Sequence, residues 1–332
     1  MAQPATAPTR APATMANAAP KLTFTKPEFV GERAESIIPP EVTHVILAGG
    51  FYGSGKTTFV AGIDAPPNIL FIDLESKGEG VAKRIGIANY FCPPQEAAAL
   101  WGFTIPPVKV YDRVQEIVET IPQGRFSVLI LDGLSILQDS MLEKVKASPT
   151  SFGVNPTHAI SGSMGGAWPG VGLLLQRVFN VARAKGVQVI ALTTEAKSKW
   201  GSAGPVLNKF ELKGVAMIHK MSILSVIMLP GLPEYAGAPS ALVLKEQLGK
   251  YEFKGGKLET TKCIPPKLPL ASMETVYKYL KNPADYMNLR KEEIPSEDEI
   301  EPFRTIVAKD QLATYMELLK AARLGAAEEE VE

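Results

Sequence analysis

The sequence predicts an α/β fold: a mainly parallel, twisted sheet flanked by helices, with a small helical appendage near its C-terminal end. Three observations carry that expectation. Short apolar runs with the length of buried strands recur between residues 42 and 229. Helix-period segments lie between them, and a glycine-rich turn joins the first run to a helix.

Taken in chain order, residues 1 to about 40 are dominated by Ala, Pro and Thr, with no acidic residue before Glu28. The segment shows no periodic apolar face and reads as a disordered arm. It lacks the apolar centre of a secretory signal. Before Glu28 only Arg10, Lys21 and Lys26 charge it, which weakens a transit-peptide reading, and Met15 is a second candidate start. The strand candidates are Val42–Ala48, Ile69–Ile72, Val128–Leu131, Val187–Leu192 and Ser222–Leu229. Helices are expected over Arg113–Ile121, Leu134–Val145 and Gly172–Lys185. In the last of these, Leu173, Leu174, Val178, Val181 and Ala182 form a core face at helical spacing. Pro230–Pro239 is a turn-rich link, and Ala241–Lys245 with Tyr251–Lys254 reads as an antiparallel hairpin around Gly249. Beyond Cys263 the character changes: helices at Met273–Lys281 and Gln311–Leu324, and acidic stretches at Lys291–Glu301 and Glu328–Glu332. The expected organisation is an arm (1–40), a core (41–262) and an appendage with an acidic tail (263–332).

Composition narrows the classes. With 332 residues, 45% of them hydrophobic, the chain can bury a substantial core, which excludes a wholly disordered or collagenous protein. Thirty-five basic and 35 acidic residues balance, so a grossly basic DNA-coating protein is excluded, though a local basic patch is not. Cys92 and Cys263 make no disulfide framework, and a reducing, cytoplasmic compartment fits them. No apolar run approaches the ~18–20 residues that span a bilayer, Met221–Leu229 included.

The strongest motif is Gly50-Phe51-Tyr52-Gly53-Ser54-Gly55-Lys56-Thr57, a full G-x-x-x-x-G-K-[ST] match between a strand and the helix opened by Thr58-Phe59-Val60. Gly50, Gly53, Ser54, Gly55, Lys56, Thr57 and Thr58 are the candidate nucleotide-binding residues. Glycines let backbone N–H groups face phosphate oxygens, and the helix N-terminus adds its positive end. In this pattern Lys56 reaches the β- and γ-phosphates and the Thr57 hydroxyl ligates Mg²⁺. ATP and Mg²⁺ are therefore the expected ligands. Val128-Leu129-Ile130-Leu131-Asp132 is a buried strand ending in a carboxylate, which makes Asp132 a metal-holding candidate beside Thr57. It could instead cap the helix beginning near Leu134. Ile69-Leu70-Phe71-Ile72-Asp73-Leu74-Glu75 ends in two carboxylates spaced i, i+2. Either can orient a water for attack on a phosphate or cap a loop, with Glu75 favoured as the base.

In order and approximate spacing, G-F-Y-G-S-G-K-T-T, F-I-D-L-E and V-L-I-L-D-G-L-S resemble the RecA-like branch of P-loop ATPases. The resemblance covers residues 42–254, a core-only domain most similar in layout to phage-type RecA-like ATPases, including single-strand annealing ATPases. It implies that Lys56, Glu75 and Asp132 are catalytic, with Glu75 as general base. It also implies a γ-phosphate sensor at Thr194 or Glu195, after Val187–Leu192. Lys245-Glu246-Gln247-Leu248-Gly249 sits where hexameric relatives carry K-N-R-x-G reaching a neighbouring subunit; Gln247 replaces the arginine, leaving Lys245 or Lys250 as trans-acting candidates. Two loops of such domains bind DNA. Their counterparts here are Ser148–Gly170, with Phe152, His158 and Trp168, and Ala196–Gly214, with Lys197, Lys199, Trp200, Lys209 and Lys213 against Glu211. Lysines neutralise phosphates and an aromatic stacks on a base, which suits a single strand.

His44, His158 and His219 show no metal-ligand spacing, so no zinc site is expected. The implied function is an ATPase acting on single-stranded DNA in recombination, annealing or replication. Homo-oligomers and a protein partner on the acidic tail are expected with it. The rival classes are a small-molecule or nucleotide kinase, against which the absence of arginine in residues 196–214 argues, and a non-catalytic, ATP-gated assembly or loader module.

Overall fold

The computed structural model describes residues 22–39, 42, 44–50, 53–102, 106–160, 166–201, 204–212, 216–229, 240–248, 250–255, 257–261, 264, 267–268 and 271–281. The chain opens with β1 (Val45–Gly50), α1 (Lys56–Ala61), β2 (Ile69–Asp73), α2 (Glu79–Ile85), β3 (Tyr90–Phe91) and α3 (Pro93–Trp101). Next come α4 (Val108–Thr120), β4 (Val128–Asp132), α5 (Leu134–Ala147), α6 (Pro156–Ile160), α7 (Trp168–Ala184), β5 (Val189–Gly201) and β6 (Gly204–Leu212). It continues through α8 (Ala216–Met221), β7 (Ser222–Leu229), β8 (Ser240–Glu246), β9 (Lys250–Lys254), β10 (Lys257–Thr261), β11 (Lys267–Leu268) and α9 (Met273–Lys281).

The strands form the expected α/β sheet, in the order β11-β8-β7-β1-β5-β4-β2-β3. From β7 to β3 every neighbouring pair is parallel, and β8 and β11 close one edge antiparallel. Buried on both faces, the central strands need apolar side chains at every position, which is why they read as unbroken runs rather than alternations. Val45, Leu47, Leu70, Ile72, Leu129 and Leu131 point into the core with α4, α5 and α7. Ile46, Ala48, Ile69, Phe71, Val128 and Ile130 point into the opposite core with α1, α2 and α9.

Several elements differ from their sequence reading. Residues 22–39, assigned by composition to the unstructured arm, lie along the core without regular secondary structure. Phe24 packs edge-on against Trp101, and Phe29 against Phe91 and Phe126, with centroids 5.1–5.6 Å apart. Backbone groups of this strap find side-chain partners: Val30 N–H on Asn89 Oδ1 at 2.9 Å, Ala34 N–H on Asn68 Oδ1 at 2.7 Å and Ile37 N–H on Asp64 Oδ1 at 2.9 Å. Arg113, itself buried, donates to the Thr25 carbonyl at 2.8 Å and pairs with Glu96 and Glu116. Two anchoring aromatics in a low-complexity stretch outweigh its composition.

α9, read as part of the appendage, packs on the core. Met273, Val276, Tyr277 and Leu280 are buried at i, i+3, i+4 and i+7, and the Tyr277 hydroxyl donates to the Ile63 carbonyl at 2.6 Å. Gly249 lies outside the described residues, and among the described ones the two expected hairpin strands pair elsewhere. β8 pairs with β7 and β11, and β9 pairs with β10 across a turn at Gly255, whose φ is +57°. The stretch Ser148–Gly170 is not one loop: a 3₁₀ turn covers Pro149–Phe152, α6 follows, and α7 begins at Trp168. In α7 Leu174, Val178 and Ala182 are buried as expected, but Leu173 is 54% exposed, because the contact face runs through Val171 and Leu175 instead. The Gln311–Leu324 helix, both acidic stretches and Cys263 lie outside the described residues. Among the described residues no helix is long and apolar enough to cross a membrane.

If the strap is part of the folded unit, Phe29→Ala costs about 3 kcal/mol by emptying the space between Phe91 and Phe126. Urea denaturation followed by tryptophan fluorescence measures it; an unchanged midpoint would show that the strap only rests on the surface.

Candidate phosphate-binding and carboxylate site

The polar ends of the parallel strands meet at one edge of the sheet. β1 ends at Gly50, β2 at Asp73 and β4 at Asp132, while β5 carries Thr193, Thr194 and Glu195 past the same edge. Register aligns them: Asp73 opposite Asp132, Asp132 opposite Thr193, Gly49 opposite Thr194 and Gly50 opposite Glu195. β5 lies between the strand that leads into the glycine-rich turn and the strand that ends in Asp132.

The turn itself needs its glycines. Gly50 has φ +145°, and a Cβ there would stand 2.7 Å from the Met228 carbonyl oxygen and 2.7 Å from Ser54 Oγ. Gly53 and Gly55 are also at positive φ, and α1 begins directly after Gly55 with no side chain capping its first N–H groups. Ser54 is 1% exposed, and its Oγ has no hydrogen-bond partner among the described residues. A buried, orphaned hydroxyl beside uncapped backbone donors fits a phosphate-sized acceptor. Lys56 curls back towards the turn, its Nζ donating to the Gly50 carbonyl at 3.2 Å.

Asp132 is the hub. Its Oδ2 accepts from Thr57 Oγ1 at 2.8 Å and its Oδ1 from Thr193 Oγ1. Thr193 in turn accepts from the Gly133 N–H at 2.9 Å. Thr193 is the residue that sequence reading misses. Only the pairing of β4 with β5 reveals it, since Thr193-Thr194-Glu195 offers two neighbouring threonines with nothing to separate them. The neighbouring Thr194 is buried, and Glu195 is exposed at the sheet edge.

Glu75 sits on the segment leaving β2. Its stem lies against Gly133, where φ is +108° and a Cβ would come within 2.7 Å of Glu75 Cγ. Its Oε2 is 4.0 Å from Lys77 Nζ. Asp73 is fully buried, accepting from the Glu75 N–H at 2.9 Å, the Gly78 N–H at 2.6 Å and the Tyr90 hydroxyl at 2.7 Å.

Burial dominates the electrostatics. It raises the Glu75 pKa, reinforced by the negative charges of Asp132 and Glu195 and opposed by Lys77 and Lys56. It also raises that of Asp132, against the hydrogen bonds from Thr193 and Thr57. It lowers that of Lys56, while Glu75, Asp132 and Glu195 all pull it back up. The four groups therefore share one field. Among the described residues no cluster of three His, Cys, Asp or Glu could hold a metal by itself. A cation at Thr57 and Asp132 would need oxygens from a ligand, as a nucleotide-bound Mg²⁺ has.

The remaining candidates fall elsewhere. Lys245 donates to the His219 and Lys220 carbonyls at 2.8 and 3.2 Å, holding the end of α8 within its own chain, and burial lowers its pKa. Lys250 opens β9. The segment expected as a second loop is a β-ribbon instead. β5 and β6 pair antiparallel from Ala196–Leu212 to Gly201–Gly204, placing Lys197, Lys199, Trp200 and Lys209 in strands. Lys213 is outside the described residues.

The sequence matches no family model and no curated protein. Among solved structures, the chain is similar to a KaiC-like protein from the hyperthermophilic archaeon Pyrococcus horikoshii OT3. The identity is 12% and the TM-score 0.33, over 66% of this chain and 89% of that one.

The raised Glu75 pKa has a sign. The folded chain binds the proton more tightly than the unfolded one, so this carboxyl lowers stability as pH rises above the ordinary glutamate value of about 4.3. Without nucleotide, Glu75→Gln is expected to melt at a higher temperature than wild type at pH 7.5. The gain should vanish as pH falls through about 4.3. A thermal melt series across pH that showed no such convergence would refute the assignment of a penalised carboxylate.

Proposed function

We propose that this chain binds ATP with Mg²⁺ at the 50–58 turn and hydrolyses it, as a RecA-like ATPase acting on single-stranded DNA. The observation that carries the catalytic half is the convergence of Lys56, Glu75, Asp132 and Glu195 on one sheet edge beside a glycine turn with an orphaned Ser54 hydroxyl.

The turn's N–H groups and Lys56 would bind the β- and γ-phosphates. Thr57 and Asp132 would hold Mg²⁺, which when bound offsets phosphate charge. Glu75 would accept the proton of a water whose oxygen bonds to the γ-phosphorus while the bond to the ADP oxygen breaks. A base pKa raised by burial suits that step, since the group takes the proton more readily than a free glutamate does. Glu195, at the end of β5 and within the field of Lys56, is the better of the two sensor candidates. Thr194 is buried behind it.

The DNA half rests on the β5–β6 ribbon, a continuation of the strand that passes the site. A ribbon carrying Lys197, Lys199, Trp200 and Lys209 gives a single strand both phosphate partners and a stacking surface. The phage-type setting in recombination, annealing or replication rests on sequence resemblance alone. So do homo-oligomers, whereas a partner for the acidic tail rests on that tail's charge and a cytoplasmic location on the reducing compartment that Cys92 and Cys263 fit. With Lys245 holding α8, Lys250 is the remaining candidate for reaching a neighbouring subunit.

Steady-state ATP hydrolysis by the full chain, with and without single-stranded DNA, tests the catalytic reading. Lys56→Ala should abolish nucleotide binding. Glu75→Gln should keep binding and lower kcat by at least about 100-fold. Wild-type turnover in Glu75→Gln would remove the base; transfer of phosphate to an added acceptor rather than water would favour a kinase.

For the ribbon, changing Lys197, Lys199 and Lys209 together to Ala should flatten the dependence of log affinity on log salt by about 2 for an oligothymidylate strand. An unchanged slope would move the DNA contact elsewhere.

A further inference from the structure

Of the two carboxylates at the end of β2, Asp73 is not used by the mechanism above, yet it is fully buried and makes three hydrogen bonds. Its Oδ1 holds the Glu75 N–H, and its Oδ2 holds the Gly78 N–H, so the chain from 73 to 78 closes around one side chain. The third donor, the Tyr90 hydroxyl, comes from outside this loop, on β3. Tyr90 is aimed by packing. It pairs with Phe71 across the two strands, and its ring stacks on the Phe71 ring at 5.6 Å with the planes 16° apart. Burial, then the Asp73 bond, raises the Tyr90 pKa, so the phenol keeps the proton it donates. A second pin comes from the same strand end: Cys92 Sγ lies 3.3 Å from Ser76 Oγ, and Ser76 has φ +60°. A third holds the loop to β4, the Leu74 N–H donating to the Asp132 carbonyl at 2.8 Å. The short strand β3 thus grips the loop that presents Glu75, at a carboxylate one side chain away from the reacting edge.

We infer that Asp73 and Tyr90 are positioning residues that fix the backbone of Glu75, so that its carboxylate is held over Gly133 and towards the phosphate site. The inference rests on the hydrolytic reading of the site. Misplacing a reacting group by about 1 Å can cost on the order of 100-fold in rate without touching substrate affinity. Losing the one Asp73 bond that comes from outside the loop should cost less than losing Glu75 itself.

Tyr90→Phe is the test, because it keeps the stacked ring and removes only the donor. In the full chain, kcat for ATP hydrolysis should fall about 10-fold, while KM and the affinity for a fluorescent ATP analogue stay within about two-fold. Asp73→Asn, which retains one acceptor oxygen, should fall further in the same parameter. The effect should also depend on Glu75: in a Glu75→Gln background, Tyr90→Phe should cause no additional loss in the single-turnover rate.

The failures are distinguishable. Wild-type turnover in Glu75→Gln, with Asp73→Asn inactive, would overturn the assignment of Glu75 as base, on which the brace rests, by making Asp73 the base. With Glu75→Gln inactive, three outcomes would overturn the brace alone: a Tyr90→Phe kcat within two-fold of wild type, a loss confined to KM, or an equal loss in the Glu75→Gln background.

Discussion

The Asp132 carboxylate sits at the end of a central strand, 4% exposed, where two threonine hydroxyls hold it and the charge of Lys56 acts on it. A carboxylate in that position is costly unless its oxygens are satisfied. The requirement reaches outward through the fold. Thr57 must come from the first turn of α1, so the glycine turn has to deliver that helix to within hydrogen-bond reach of β4. Thr193 must come from β5, so β5 has to lie beside β4, with Asp132 opposite Thr193 in register. Thr193 then takes the Gly133 N–H and steadies the start of α5, while the Asp132 carbonyl takes the Leu74 N–H and sets the exit of β2. Three strands, two helix starts and the glycine turn are positioned around one side chain.

Each strand that feeds this hub is apolar until its last residues and then turns polar: Gly49-Gly50, Asp73, Asp132, Thr193 to Glu195. Side chains in the body of the sheet alternate between two dry cores, so a polar group there would be stranded. At the C-terminal edge the helices have not yet closed over the sheet, and polar groups can converge. The same geometry makes the C-terminal edge of parallel sheets a place where ligands bind.

That pattern is local and one-dimensional, which is why much of it is legible in the sequence. The five central strands, α5, α9, the glycine turn and Asp132 follow from short apolar runs and spacing. What cannot be read is what depends on pairing. Thr193 and Thr194 are indistinguishable until β5 is set against β4. Lys245 looks available until His219 and Lys220 are found beneath it. Ala196–Leu212 carries glycine, lysine and serine enough to pass for a loop, yet its residues pair as a ribbon continuing a core strand. The strap fails for the opposite reason: its composition is that of a solvated arm, but Phe24, Phe29 and the carbonyl of Thr25 find fixed partners on Trp101, Phe91, Phe126 and Arg113. Two well-placed aromatics and a buried guanidinium offset the conformational entropy of ordering a short segment, and average composition does not register them.

The charge balance of the site gives the arrangement its direction. Asp132, Glu75 and Glu195 face Lys56, with Lys77 at the margin, so among the described residues of this field the carboxylates outnumber the cations. Burial raises the pKa of both Glu75 and Asp132, which means that ionising them costs the folded chain stability. A purely structural site could lower that cost with an amide or a second lysine, since neither strand pairing nor the glycine turn requires three carboxylates. The backbone N–H groups of the turn favour an anion, whereas the carboxylates opposite favour a cation. A ligand that brings both, with phosphate oxygens for the turn and a divalent cation for Asp132, satisfies the two halves together, whereas a bare anion or a bare cation satisfies one and aggravates the other. On the proposed function, the stability given up at this edge would be recovered when a metal-bound polyphosphate binds.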